Sequence, residues 1–337
     1  MRDIRNFNLR ANNTFGVEAT CRRFVEIERA EEVTQFVCSL TGDDLPLLII
    51  GGGSNLLLTS DFDGTVLRSA IKGVESTSED GYVLLRCGSG ETWDDIVAHC
   101  VDHGWYGAEN LSGIPGDVGA TAVQNIGAYG AEVSPLIWSI EAVDIVTGLS
   151  VTIDPKDCDY AYRDSRFKHE WKNKYFITAV TYRLFETFKP LLDYGNIRSE
   201  LQRLEIERPT AAQLRQVVIN IRNAKLPDVK VEGNAGSFFV NPVVTREKFL
   251  QLQSEYPDIP HYTIDEGHEK VPAGWLIERC GWKGRTMGHA GVHDRQALVL
   301  VNRGGATGKE VLALSKAIKA DVLARFGVEI LSEVNIV

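Results

Sequence analysis

A buried apolar strand, Leu45-Pro46-Leu47-Leu48-Ile49-Ile50, runs straight into Gly51-Gly52-Gly53-Ser54-Asn55 and on into a second apolar run, Leu56-Leu57-Leu58-Thr59. Nothing in that continuation opens a helix. This excludes the dinucleotide fingerprint of doubly wound sheets, whose glycines feed directly into a helix N-terminus, because the sixth position here is Leu56. It also excludes a P-loop, since no Gly-Lys-Ser/Thr follows. Two readings stay open for the loop itself. Its backbone N–H groups could cradle a phosphate, or it could be a plain turn.

A second glycine-punctuated stretch spans 107–130, from Gly107-Ala108-Glu109-Asn110 through Gly113-Ile114-Pro115-Gly116-Asp117-Val118-Gly119-Ala120 to Gln124-Asn125-Ile126-Gly127-Ala128-Tyr129-Gly130. Its glycines and proline predict neither a good helix nor a good strand. It is too apolar for a disordered linker. So many small residues suit either close backbone approach to a large flat ligand or an irregular buried loop.

Elsewhere the periodicity is clearer. Segments 64–68, 82–87, 137–153 and 175–184 read as strands. Thr92-Trp93-Asp94-Asp95 reads as a capping-box start, with Ile96, Val97, Cys100 and Val101 on one helical face. A helix is expected from Pro209-Thr210-Ala211-Ala212-Gln213 to about Asn223, with Thr210 and Gln213 as reciprocal caps. Another is expected from Thr307, with Val311, Leu314, Ile318, Val322 and Phe326 inward and a stop at Gly327. Val328 to Val337 reads as a final strand, and 198–210 as a linker. Irregular alternation of strand and helix over 337 residues predicts an α+β chain of more than one domain.

The net charge of −10 argues against nucleic acid as a partner, since phosphate backbones want a basic face. No apolar run reaches the roughly 20 residues of a membrane helix. Residues Met1 to Asn6 do not resemble a secretion signal, so a cytoplasmic location is expected. The six cysteines, Cys21, Cys38, Cys87, Cys100, Cys158 and Cys280, include no CxxC pair, which favours reduced thiols. His99 and His103, four apart, lack a third ligand, and no metal site is expected.

Several polar residues could serve a ligand or only the fold. Ser237 lies in Gly233-Asn234-Ala235-Gly236-Ser237-Phe238-Phe239-Val240-Asn241-Pro242, either aimed at a ligand or held in a tight turn. Arg163, in Tyr160-Ala161-Tyr162-Arg163-Asp164-Ser165, could grip a carboxylate or phosphate, or pair with Asp164. Arg222 and Lys225 could hold a diphosphate or answer a helix C-terminus. Lys283, Gln296 and Asn302 add polar groups near the glycines of 284–291.

The order of these motifs is more specific than any one. Asn13-Thr14-Phe15-Gly16, Gly51 to Asn55, Gly113-Ile114-Pro115-Gly116, Gln124 to Gly130, Tyr162-Arg163-Asp164-Ser165, Lys225-Leu226-Pro227-Asp228 and Gly233 to Phe239 together resemble the UDP-N-acetylenolpyruvoylglucosamine reductase family over essentially the whole chain. The resemblance implies an FAD-binding domain of the vanillyl-alcohol-oxidase (PCMH) type in two subdomains, 1–70 and 71–205. An α+β substrate-binding domain would follow at 206–337, its last strand returning to the first subdomain.

The resemblance also implies a flavin-dependent oxidoreductase that converts UDP-N-acetylglucosamine enolpyruvate to UDP-N-acetylmuramate with FAD and NADPH, as a monomer. Gly51, Gly52, Gly53, Ser54, Asn55, Ile114, Pro115, Gly119, Ala120, Asn125, Gly127 and Ile177 would bind FAD. Tyr162, Tyr194, Arg222, Lys225, Asn241, Lys283 and Gln296 would hold the UDP-sugar, with Tyr194 on a lid. Ser237 would protonate C2, while Arg163 and a protonated Glu333 stabilise the enolate. The proline usual before that glutamate is Ser332 here. The competing readings are a flavin oxidase of the same fold and a UDP-sugar sensor without turnover. The former often tethers FAD through His or Cys, yet neither glycine loop contains a histidine. The latter has no need of Ser237 and Arg163 together.

Overall fold

The strand expected at 45–50 forms as Leu47–Ile50 and pairs in parallel with Phe62–Ser69, Leu47 opposite Thr65. The structure, a computed structural model, describes residues 1–337. Its contacts divide the chain into two compact units. One comprises 1–7, 21–52 and 63–224, and the other 8–20, 53–62 and 225–337. The division falls inside the first glycine loop, between Gly52 and Gly53.

The first unit holds two sheets. In the four-stranded sheet the order is Arg2–Asn8, Thr20–Ile27, Phe62–Ser69, Leu47–Ile50. The five-stranded sheet is antiparallel, in the order Ser150–Ile153, Ile137–Asp144, Tyr175–Phe185, Tyr82–Gly88, Val74–Glu79. Alternation sets its faces: Val83, Leu85 and Cys87 are buried while the residues between them are partly exposed. Its core packs Trp93, Ile96, Val97 and Cys100 of the helix Trp93–Asp102 against Val180 and Tyr182. The buried polar tips are satisfied, with the Trp93 indole N–H donating to Leu111 O (3.0 Å) and Tyr182 Oη sharing a hydrogen bond with Thr121 Oγ1 (2.7 Å). A second core gathers Val25, Phe36, Leu67, Val143 and Phe176.

Four local expectations need correction. Thr92 does sit at the N-cap of its helix, but its hydroxyl makes no capping bond. The stretch 107–130 is not wholly irregular, because Val118–Gln124 is helical and Gly127–Ala128 pairs with Ala131–Glu132. Burial of Val118, Thr121 and Ala122 overrides the weak local propensity there. The run 137–153 is two strands around a turn, in which Asp144 Oδ1 accepts from the Val146 and Thr147 amides. The expected linker 198–210 instead contains most of the helix Ile197–Arg203. Its Ile197 and Leu201 pack on Leu214, Val217 and Ile221 of Ala211–Lys225.

The second unit holds a four-stranded sheet in the order Gly233–Ser237, Val299–Asn302, Ala290–Val292, Thr286–Met287. The helix Gly308–Phe326 starts on a complete capping box between Thr307 and Glu310 and stops at left-handed Gly327, burying Val311, Leu314, Ile318, Val322 and Phe326. The last segment is less strand than its sequence suggests. Only Asn335–Ile336 is strand, parallel to Leu56–Leu57, with an isolated bridge between Ser332 and Phe239 before it. All six cysteines are free; Cys21, Cys87, Cys100 and Cys158 are buried. No helix is long and apolar enough to cross a membrane.

Candidate active site

In the first unit, Gly51 and Gly52 face the N-terminus of the helix Val118–Gln124. A Cβ on Gly51 would stand 3.4 Å from Ala120 Cβ, and one on Gly52 would stand 3.2 Å from Asp117 Oδ1. Gly119 approaches Ser89 so closely that a Cβ would meet Ser89 Cβ at 3.0 Å, and its N–H donates to Ser89 O (2.9 Å). Ser89 Oγ in turn bonds Ser69 Oγ (2.6 Å). The two glycine regions thus form one cradle of small residues. Burial pushes the Asp117 carboxyl up, against the pull of Arg68 and Lys72, and its Oδ2 is buried without a hydrogen-bond partner. An oxygen left in that state is open to a donor from a ligand or an ordered water.

The other residues expected at the cofactor have more structural duties. Asn125 is fully buried in a left-handed conformation. Its Nδ2 donates to Glu132 Oε2 and Ala161 O, and its Oδ1 accepts from Ser134 N. Its side chain holds the loop rather than reaching outward. Ile177 is buried in the main core, opposite Ala142. Ile114 is half-buried and Pro115 exposed on the loop before the helix.

A cationic, aromatic cluster occupies the same unit. The Arg163 side chain donates to Gly127 O, and its guanidinium lies over the Tyr162 ring at 5.6 Å. Asp164 pairs with His169 (2.8 Å). Arg222 Nε donates to Gly113 O (3.0 Å). Burial pushes the Arg222 guanidinium down; the Tyr129 phenol opposes this and the like charge of Arg163 adds to it. Two guanidiniums within electrostatic reach of one another suit an anion between them. Tyr194 packs beside Gly130, where a Cβ would sit 3.1 Å from Tyr194 Cβ, and the residue as a whole is 44% exposed.

Residues absent from the expectations support this cluster. Asp94 accepts from Gly113 N (2.6 Å) and from both Nη atoms of Arg215 (2.6 and 3.0 Å). The backbone at Gly113 is therefore fixed at its N–H by Asp94 and at its carbonyl by Arg222. Asp94, in the first turn of its helix, serves a distant arginine, Arg215, and no local signal marks that partner.

In the second unit, Ser237 and Glu333 are brought onto paired segments. Glu333 N donates to Phe238 O (2.8 Å), Val240 N donates to Leu331 O (2.9 Å), and Asn55 Nδ2 donates to Glu333 O (3.3 Å). The first glycine loop's Asn55 also accepts from Asn335 N (3.1 Å), so the end of that loop is laced to the segment bearing Glu333. Asn241 and Gln296 both meet the first turn of the helix Ala273–Arg279. Asn241 Oδ1 accepts from Ala273 N (2.9 Å), and Gln296 Oε1 lies 3.3 Å from where a Gly274 Cβ would be. Lys283, past the other end of that helix, is ion-paired with Glu278 (3.0 Å). Lys225, the last residue of Ala211–Lys225, is exposed. Asn302 is structural, donating to Phe15 O and accepting from Gly304 N and Ala306 N.

Comparison with known proteins gives a consistent picture. A family model described as an FAD binding domain matches residues 21–153, and one described as the C-terminal domain of UDP-N-acetylenolpyruvoylglucosamine reductase matches 227–337. A UDP-N-acetylenolpyruvoylglucosamine reductase of Bacteroides fragilis is 50% identical over 332 residues, covering 98% of this chain and 99% of that protein. One of Burkholderia cenocepacia is 48% identical over 329 residues, covering 96% and 94%. Among solved structures, the reductase of Thermus caldophilus superposes with a TM-score of 0.67 at 21% identity, covering 99% of this chain and 98% of that one. That last likeness speaks to the fold.

Proposed function

Since the chain belongs to the UDP-N-acetylenolpyruvoylglucosamine reductase family, we propose that Ser237, Arg163 and Glu333 are the residues with which it performs that reaction. The activity is that of an FAD- and NADPH-dependent oxidoreductase reducing UDP-N-acetylglucosamine enolpyruvate to UDP-N-acetylmuramate in peptidoglycan synthesis. The observation that carries the assignment is the pairing of the Ser237–Val240 segment with Leu331–Glu333, which sets a hydroxyl and a carboxyl on neighbouring, hydrogen-bonded segments.

The cradle fits FAD. Its small residues leave room that a Cβ on Gly51 or Gly52 would take, and the orphan Asp117 Oδ2 would accept from one of the cofactor's donor groups. Gly51 to Asn55, Ile114, Pro115, Gly119, Ala120 and Gly127 would hold it, with Asn125 and Ile177 shaping the walls. When bound, FAD supplies the hydride relay from NADPH to C3 of the enol ether. Addition at C3 leaves an electron pair at C2, shared with the adjoining carboxylate. Arg163 neutralises that charge as it develops, and Glu333 hydrogen-bonds to it. The Ser237 Oγ–H bond then breaks as the C2–H bond forms, and the serine regains its proton from solvent or a neighbour.

Tyr162, Tyr194, Arg222, Lys225, Asn241, Lys283 and Gln296 hold the UDP-sugar in this reading, with Arg222 and Lys225 facing the diphosphate. FAD binding is assigned to 1–205 and substrate binding to 206–337, with Arg222 contributed from the stretch compact with the first unit. A monomer in the cytoplasm completes the proposal.

Anaerobic stopped-flow absorbance tests it. NADPH should bleach the flavin band, and the enolpyruvyl UDP-sugar should restore it. Ser237→Ala should slow restoration by about 10²–10⁴-fold, the usual weight of a general acid, while bleaching stays within about twofold. Restoration at the wild-type rate removes Ser237 from the proton-transfer role.

A further inference from the structure

The motif Asn13-Thr14-Phe15-Gly16 has no part in the reaction as assigned, yet it touches two segments that do. We infer that Thr14 is a positioning residue that sets the Ser237-bearing bulge in register with the end of the first glycine loop. This rests on the assignment of Ser237 above.

The geometry lies within the second unit. Thr14 N donates to Gly53 O (3.1 Å), and Thr14 O accepts from Asn234 N (3.0 Å). The Thr14 hydroxyl lies 2.6 Å from Asn234 O and 3.4 Å from Gly53 O, so its single proton goes to Asn234. One residue therefore bonds Gly53 through its amide and Asn234 through both its carbonyl and its hydroxyl. The approach is too close for side chains on either flank. A Cβ on Gly53 would fall 1.9 Å from Asn12 O, and one on Gly233 would fall 2.2 Å from Phe15 O.

Asn234 passes this constraint on to Ser237. It is buried, with 3% of its surface exposed. Its Nδ2 donates to Glu232 O (2.8 Å) and its Oδ1 accepts from Gly236 N (3.0 Å). Gly236 is left-handed (φ +67°), and the register against Val299–Asn302 shifts between Asn234 and Ser237. Such a bulge re-aims the side chain that follows it. Asn234 thus fixes the turn from which Ser237 projects, and Thr14 fixes Asn234. The 12–15 segment is itself rigid. Asn13 is buried, donates to Leu9 O and Val17 O and accepts from Val17 N, while Phe15 O accepts from Asn302.

A proton donor must be placed to a fraction of an ångström, and a misplacement near 1 Å lowers rate by about a hundredfold. Thr14→Val keeps shape and backbone bonds but removes the hydroxyl. The FAD-loaded variant should show amide hydrogen exchange at Gly236 and Ser237 about tenfold faster than wild type. Its substrate-driven flavin reoxidation should fall about 10- to 100-fold, with reduction by NADPH within about twofold. Thr14→Ser, which restores the donor, should recover both.

Unchanged exchange at Gly236 and Ser237 in Thr14→Val overturns the positioning role whatever Ser237 does. Faster exchange with undiminished reoxidation also overturns it, provided Ser237→Ala is impaired. If Ser237→Ala is itself unimpaired, the Ser237 assignment fails, and faster exchange then still establishes Thr14 as the anchor of the bulge. Failure of Thr14→Ser to recover exchange overturns the role of the hydroxyl.

Discussion

Three glycines of the second unit separate backbone conformation from close approach, and their alanine variants form one experiment. Gly16 is left-handed (φ +63°) with nothing within 4 Å of a Cβ. Gly308, first residue of its helix, has an ordinary φ, but a Cβ would fall 1.8 Å from Leu58 O and 2.7 Å from Leu58 C. Gly53 has both problems, with φ +67° and a Cβ 1.9 Å from Asn12 O. Real Cβ contacts do not fall below 3.0 Å, so either contact needs a backbone shift of more than an ångström. A left-handed alanine costs about 1 kcal/mol. Overpacking against fixed backbone costs about 1–3 kcal/mol. Gly16→Ala should therefore lose about 1 kcal/mol and Gly308→Ala about 2 kcal/mol, although helix propensity alone favours alanine by up to about 1 kcal/mol. Gly53→Ala should lose about 3 kcal/mol or more. Urea unfolding of the FAD-free protein reads all three, and FAD titration should show weakened binding for Gly53→Ala alone. A neutral or stabilising Gly308→Ala, or a Gly53→Ala no worse than Gly16→Ala, refutes the close packing on which the argument rests.

Two further variants probe other parts of the molecule. Asp94→Asn removes the charge that holds both Arg215 and the Gly113 amide; it should cost about 2 kcal/mol in urea unfolding and raise KM for the UDP-sugar more than it lowers kcat, because Gly113 also seats Arg222. An unchanged KM would detach Arg222 from this network. Glu32 accepts from the Glu28 amide, the N-terminal ammonium and Arg29, which against the opposing effect of burial hold its carboxyl at about 2, below its ordinary 4.5. A depressed carboxyl contributes stability above its unfolded value and loses it as pH falls through the folded one. Unfolding midpoints between pH 5 and 2 should thus fall less steeply for Glu32→Gln than for wild type, and parallel profiles would contradict the assignment.

Much of this protein was legible in local chemistry. Thr210 and Gln213 cap each other as their spacing requires, Thr210 N donating to Gln213 Oε1 (2.9 Å) and Gln213 N to Thr210 Oγ1 (3.2 Å). Thr307 and Gly327 bracket the last helix, and its inward residues are the ones periodicity selects. Loop chemistry excluded a Rossmann site because no helix follows Asn55, and the strand Leu56–Leu57 is what forms there. The order of motifs carried the family, which identity along nearly the whole chain then established.

Tertiary structure decided what local signals could not encode. The helix Val118–Gln124 forms amid glycines because the main core buries one of its faces. Thr92 fails as a capping hydroxyl while Asp94 turns to Arg215, 121 residues away. Only pairing across the sequence could bring Glu333 beside Phe238, or place Thr14 on Asn234 across 220 residues. Caps, periodicity and turns depend on neighbours within a few residues, so sequence states them directly. Close approach of backbones and the partner of a buried charge depend on which distant segments meet, and that is fixed only when the core closes.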